Sequence, residues 1–232
     1  MIVAYFLMRN IYPYLLPAVM SLLDHNPRVR KIYVFCEDDV FPYELPAVCK
    51  VVNVRKQTWI LDSSPNIRSQ YTWIGLVKVA TPKLLPDLDK VITLDVDTIV
   101  NDSLDPLWAL NLRDNYIAMV HEEKGCHRIR GHEKYYNFGV AVWNLKAIRE
   151  NRVDDKLIAV MNQQKLQFIG QEAWNLYYYD KIQELPVRFN ESQVTGRTEN
   201  PGVVHYAGTV RWWNPTLDRH EYYDLYRRYE KF

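Results

Sequence analysis

Two carboxylates one residue apart, set at the end of an apolar run, are the most informative chemistry in this chain. Lys90-Val-Ile-Thr-Leu leads directly into Asp95-Val-Asp97. Side chains alternate across a strand, so a strand running through both acids would point them to the same side. Open parallel sheets bind ligands just beyond the carboxyl ends of their strands. Two negative charges there are costly unless something neutralises them, and a divalent cation held by oxygen ligands does so. The spacing alone is weak evidence, because Asp87-Leu-Asp89 repeats it in what reads as a solvated turn before the strand. The plainer alternative for Asp95 and Asp97 is strand-end capping or ion pairing.

Acids at a strand exit require a sheet to hold them. Short apolar runs at residues 2–7, 31–35, 51–54, 91–94, 116–120, 139–143 and 203–206 read as strands. Apolar residues at helical spacing predict helices over residues 14–23 and 73–85, followed by further helices at 145–150, 154–163 and 172–179. Residues 56–70, with Asp62-Ser-Ser-Pro-Asn66, read as a loop. Strands alternate with helices, and the strands are continuous rather than alternating in polarity. That combination predicts an α/β fold with a mainly parallel sheet covered on both faces. No repeat, low-complexity tract or linker interrupts it, so residues 1–232 are expected to form one domain, with 216–232 a C-terminal helix.

Composition narrows the function classes. The 232 residues are 48% hydrophobic and 25% charged, an ordinary balance for a globular protein of one domain. A net charge of +1 gives no electrostatic pull toward nucleic acid, and none is expected as a partner. The 17 Tyr and 7 Trp are numerous enough to stack on bases or sugars, but they fill cores equally well. Cys36, Cys49 and Cys126 are odd in number, widely spaced and form no C-x-x-C pair, so neither a disulfide framework nor a zinc finger is expected. A reducing cytosol is the simplest setting. The first residues lack a signal peptide's basic start, and no apolar run approaches a membrane span.

Several ordered motifs carry a family resemblance. Residues 90–108, KVITLDVDTIVNDSLDPLW, resemble the core signature of glycosyltransferase family 8. Ser21-Leu-Leu-Asp-His-Asn26 resembles the end of the family's first helix, and Tyr135-Tyr-Asn137-Phe-Gly139 its Y-F-N-x-G strand. Gly170-Gln171-Glu172-Ala-Trp-Asn175 falls where the family has D-Q-D-x-x-N, and His205-Tyr-Ala-Gly208-Thr-Val-Arg211-Trp-Trp213 resembles H-Y-x-G-x-x-K-P-W. The resemblance covers most of the chain. It implies the GT-A fold, a Rossmann-like nucleotide-sugar domain, and retaining transfer of a hexose from a UDP-sugar to a hydroxyl acceptor.

By that resemblance His205 completes a metal site with Asp95 and Asp97. Oxygen ligands plus one imidazole suit Mn²⁺, with Mg²⁺ the alternative. The chemistry is coherent: the sugar leaves a diphosphate, negative charge grows there in the transition state, and a divalent metal stabilises and orients it. Lys78 and Arg211 are implied to face the phosphates, Arg211 replacing the family's Lys and keeping its charge. Val96 and Gly208 are implied to border the nucleotide. Asn137, Gln171 and Glu172 are implied to line the reacting sugar, although Glu172 would also suit the opening turn of a helix.

Besides Arg211 for Lys, Trp212 replaces the family's Pro and Lys78 its usual Arg, and two further departures fall at the reacting sugar and the nucleotide. Gly170 stands where the first acid of D-Q-D is expected, and no side chain identifies a nucleophile. Met8-Arg9-Asn10-Ile11-Tyr12 replaces the family's Asp-x-Asn-Tyr. Asn10 can bond a base or ribose, and Tyr12 could stack on the base if the loop shifts by one residue. A non-catalytic nucleotide-sugar binder of the same fold is the first rival reading, favoured by Gly170 and opposed by the complete metal set. A nucleotidyltransferase is the second, opposed by the absence of glycine from residues 7–12. The segment from His121 to Lys134 is rich in His and acids, but its spacing fits no standard metal pattern, so a polar acceptor-facing loop is expected. The Tyr- and Arg-rich C-terminus is expected to pack on the domain, with peripheral membrane contact the alternative.

Overall fold

Apolar residues at successive positions become strands buried on both faces. In the strand β1 (Ile2–Phe6), Val3 and Tyr5 pack on one side of the sheet while Ala4 and Phe6 pack on the other. The computed structural model describes residues 1–68, 73–123, 132–208, 213 and 223–230. The strands that follow are β2 (Lys31–Cys36), β3 (Cys49–Asn53), β4 (Lys90–Leu94), β5 (Thr98–Val100), β6 (Ile117–His121), β7 (Tyr136–Asn144), β8 (Ile182–Leu185) and β9 (Val203–His205). The helices are α1 (Leu15–His25), α2 (Trp73–Val77), α3 (Thr81–Leu84), α4 (Asp105–Ala109), α5 (Leu145–Glu150), α6 (Val153–Gln163), α7 (Ile169–Tyr177) and α8 (Tyr223–Arg227).

The main sheet has the order β3-β2-β1-β4-β7-β6-β8. β7 runs antiparallel to both neighbours, β4 and β6, while the other described pairings in this sheet are parallel. The expected α/β architecture with a mostly parallel sheet is therefore what the chain adopts. α1 covers one face through Leu15, Val19 and Leu22. Val77, Leu157 and Trp174, from α2, α6 and α7, cover the other, against Trp143 and Phe35 of the sheet.

Three of the departures from the sequence-based expectation bear on the site. β4 ends at Leu94, so Asp95-Val96-Asp97 is a turn and not a continuation of the strand. β5, which follows that turn, pairs antiparallel with β9 in a separate two-stranded sheet. The helix expected to begin at residue 172 begins at Ile169, so Gly170 and Gln171 lie within its first turn. Of the C-terminal helix, α8 is described: Tyr226 and Tyr229 are buried in the same core as α1, and the Tyr229 hydroxyl donates to Asp24 at 2.8 Å. No helix among the described residues is long and apolar enough to cross a membrane.

Candidate active site

Three backbone-level contacts fix the turn that carries the acids. The Asp95 amide donates to the Gly139 carbonyl at 2.8 Å, the Tyr206 amide donates to the Asp97 carbonyl at 2.8 Å, and the Thr98 hydroxyl donates to the Asp95 carbonyl at 2.7 Å. Pairing of Thr98 with His205 across β5 and β9 then delivers the imidazole. His205 Nε2 lies 3.4 Å from an Asp97 oxygen and 3.9 Å from an Asp95 oxygen. One ligand atom from each of the three lies within 4.8 Å of the others. The convergence was expected, but its cause is corrected. Strand alternation does not apply to residues in a turn; the turn and the second sheet bring the groups together.

The donor set suits a hard or borderline divalent cation: two carboxylates and one imidazole, with Asp97 and His205 buried and Asp95 still 40% exposed to the cleft. Among the described residues it is the one His/Cys/Asp/Glu group arranged to hold a metal ion. The His205 ring lies directly over Gly139, where a Cβ would sit 2.1 Å from the ring's Cε1. Glycine is therefore required at 139 for the ring to occupy this place. Lys78, nearly fully buried, donates from Nζ to Asp95 at 2.8 Å and to the Phe138 carbonyl at 2.7 Å, with its charge 4.4 Å from the Phe138 ring centre.

These groups line one cleft of about 500 Å³. Asn10, Lys78, Asp95, Val96, Asp97, Asn137, Gln171, His205 and Gly208 all contribute to its wall. Arg211 lies outside the described residues. Tyr12 and Glu172 do not belong to the lining. Tyr12 is buried against Phe41, its hydroxyl accepting from the Glu37 amide at 2.8 Å and donating to Asp38 at 3.1 Å. Burial holds its phenol well above the ordinary range. Glu172 turns back on its own helix and accepts from the amides of Gln167 at 2.6 Å and Phe168 at 2.9 Å. That is the helix-opening role, because free amides at a helix start need acceptors. Arg9 is turned away from the cleft onto Asp38, whose carboxyl it holds below the usual carboxylate range.

Two residues at the site escaped sequence reasoning. Glu122, almost fully buried yet on the cleft wall, accepts from Asn137 Nδ2 at 2.8 Å and Gln171 Nε2 at 3.1 Å. Asn190, fully buried, contacts His205 Nδ1 at 2.8 Å. Glu122 lay in the His- and acid-rich segment, and nothing in its spacing showed one acid turned inward. Residues 124–131 of that segment lie outside the described residues. Trp213 also lines the cleft and stacks on Tyr14, ring centres 4.3 Å apart.

A mostly parallel sheet whose strand ends carry the acids to a cleft, with a small second sheet that adds an imidazole, is the architecture of a GT-A glycosyltransferase. The chain belongs to glycosyl transferase family 8, whose family model matches residues 2–216. General stress protein A of Bacillus subtilis is 26% identical over 193 residues, covering 71% of this chain and 67% of that protein. The lipopolysaccharide 1,2-glucosyltransferase of Escherichia coli is 26% identical over 153 residues, 55% of this chain and 45% of its own length. The fold is shared with the galactosyltransferase LgtC, solved with donor and acceptor sugar analogues, at a TM-score of 0.75 and 19% identity. That superposition covers 100% of this chain and 95% of LgtC.

Proposed function

We propose that this glycosyltransferase moves glucose or galactose from a UDP-sugar to a hydroxyl acceptor with retention, acting as one domain over residues 1–232. The observation that carries the reading is the convergence of Asp95, Asp97 and His205 on one point of the cleft. Mn²⁺ fits this donor set best, and Mg²⁺ second. When bound, the cation supplies Lewis-acid stabilisation to the departing diphosphate. Lys78 holds one oxygen of Asp95 and leaves the other for the cation. Arg211 adds positive charge toward the phosphates, and Val96 and Gly208 border the nucleotide. Asn10 takes the base or ribose, while Tyr12 braces its loop through Glu37 and Asp38 instead of stacking on the base. Asn137 and Gln171 face the sugar, with amides held by Glu122. The acceptor is a glycan or lipid-linked glycan, a reading supported by the lipopolysaccharide glucosyltransferase among the relatives. A cytoplasmic setting is consistent with the cysteine usage, with membrane contact at most peripheral through the C-terminal helix.

The test is UDP release from a panel of UDP-sugars with Mn²⁺ or with EDTA, comparing wild type with Asp97→Ala. Metal-dependent hydrolysis of one donor, lost in the variant, is the expected result. Absence of UDP binding with Mn²⁺ present would sink the donor assignment.

A further inference from the structure

Two neighbouring backbone amides set the direction of a hydrogen-bonded chain that joins both polar ends of the cleft. A backbone N–H only donates, so the atoms that meet it must be acceptors. The Gly139 amide lies 2.9 Å from Asn137 Oδ1, which fixes that atom as the side-chain carbonyl and turns Nδ2 toward Glu122 at 2.8 Å. The Asn190 atom that meets Asn137 Oδ1 at 2.8 Å must then be its Nδ2. Asn190 Oδ1 consequently faces His205 Nδ1 at 2.8 Å. One position earlier, the Phe138 amide fixes Gln171 Oε1 at 2.9 Å and turns Gln171 Nε2 toward Glu122.

The consequence falls on the imidazole. A carbonyl oxygen opposite Nδ1 requires a proton on Nδ1, and a neutral imidazole has only one. Nε2 is left with its lone pair, aimed at the point where Asp95 and Asp97 converge. The Asn190 backbone is held in place, since its N–H donates to the Val187 carbonyl at 3.0 Å and its backbone carbonyl accepts from the Thr195 hydroxyl.

We propose that Asn190 is a positioning residue that transmits the orientation set by the Gly139 amide, through Asn137, to His205. It selects the tautomer whose Nε2 is a cation ligand, and it couples that site to the Asn137 and Gln171 amides beside the donor sugar. The inference rests on the cation-binding reading above, but its first readout does not. Partners that orient a metal-ligating histidine change metal affinity by about 10- to 100-fold when removed.

The experiment uses metal-free protein labelled with ¹⁵N at histidine, with the His205 signals assigned by their loss in His205→Ala. Wild type shows the Nδ1–H tautomer at His205. Asn190→Ala loses that preference and binds Mn²⁺, followed by its electron paramagnetic resonance signal, about 10- to 100-fold more weakly. Asn190→Asp keeps an acceptor oxygen for Nδ1 and retains the tautomer. Should Asn190→Ala fail to fold, Asn137→Ala frees the Asn190 amide to rotate and gives mixed tautomers. An unchanged tautomer in both alanine variants, or an Nε2–H tautomer in wild type, overturns the relay. An Nδ1–H tautomer in a wild type that binds no Mn²⁺ overturns the cation reading instead.

Discussion

Lys78 and Asp95 share a 2.8 Å hydrogen bond in which a nearly fully buried ammonium meets a carboxylate still open to the cleft. The same ammonium is held by the Phe138 carbonyl, so it cannot follow a ligand out into solvent. Lys78→Ala removes this fixed charge and leaves Asp95 unrestrained. Turnover is expected to fall by about 100-fold, equivalent to about 2.7 kcal/mol of transition-state stabilisation. Lys78→Arg should recover part of it. Steady-state rates across a donor series check both variants, and a Lys78→Ala enzyme with wild-type rates would remove Lys78 from the machinery.

Gly170 marks a steric decision. A Cβ there would lie 2.7 Å from Val79 Cγ2 and 3.3 Å from the Gly75 carbonyl, because the start of α7 presses on α2. Restoring the family's acid as Gly170→Asp should therefore destabilise the protein by about 1–3 kcal/mol, the usual cost of overpacking. It should not raise activity. Urea denaturation and a parallel rate measurement decide this; a stable, faster variant would show that the acid was simply lost.

Glu172 separates capping from catalysis. Its carboxylate takes two helix-start amides, so Glu172→Ala should cost about 0.5–2 kcal/mol of stability, as lost caps do. Below the shifted melting transition, kcat should stay near wild type. A large kcat loss with unchanged melting temperature would return Glu172 to the reacting sugar.

Acid sensitivity follows from the carboxylates that the fold holds ionised. Asp102 lies below its ordinary range because the Ser103 amide and the Arg188 guanidinium bond it, and Asp155 because Lys83 and Arg152 do. A depressed folded-state pKa means the unfolded chain binds more protons through that window. The stabilisation is present above the ordinary carboxylate range, near pH 4, and is lost as pH falls through the lowered folded value. Arg188→Ala should therefore be less stable than wild type at neutral pH, by a small margin because the pair is exposed and screened. The two should converge in acid. Urea midpoints measured from neutral pH downward test this, and a constant difference at all pH values would refute it.

Most of the sheet was legible in the amino-acid order because buried parallel strands need continuous apolar runs, and such runs at residues 2–7, 31–35 and 91–94 have no other use. Asp95, Asp97 and His205 were legible as residue types inside ordered motifs. Their convergence was expected from the resemblance, but the turn and the second sheet that produce it were not legible. β5 and β8 are short and carry no distinct periodicity, so strand assignments there depend on partners far along the chain. Tyr12 looked available for stacking until Glu37, Asp38 and Phe41 closed around it.

By itself the sequence determined the fold class and the inventory of charged groups, which follow from local periodicity and residue type, and its ordered motifs carried the resemblance to the family. The tertiary structure alone decided how the groups are brought together and what holds them. The Thr98–His205 pairing, the inward turn of Glu122 and the burial of Asn190 each join residues distant in sequence. No local pattern encodes such contacts, because they form only when the sheet closes and buried polar atoms must find partners there.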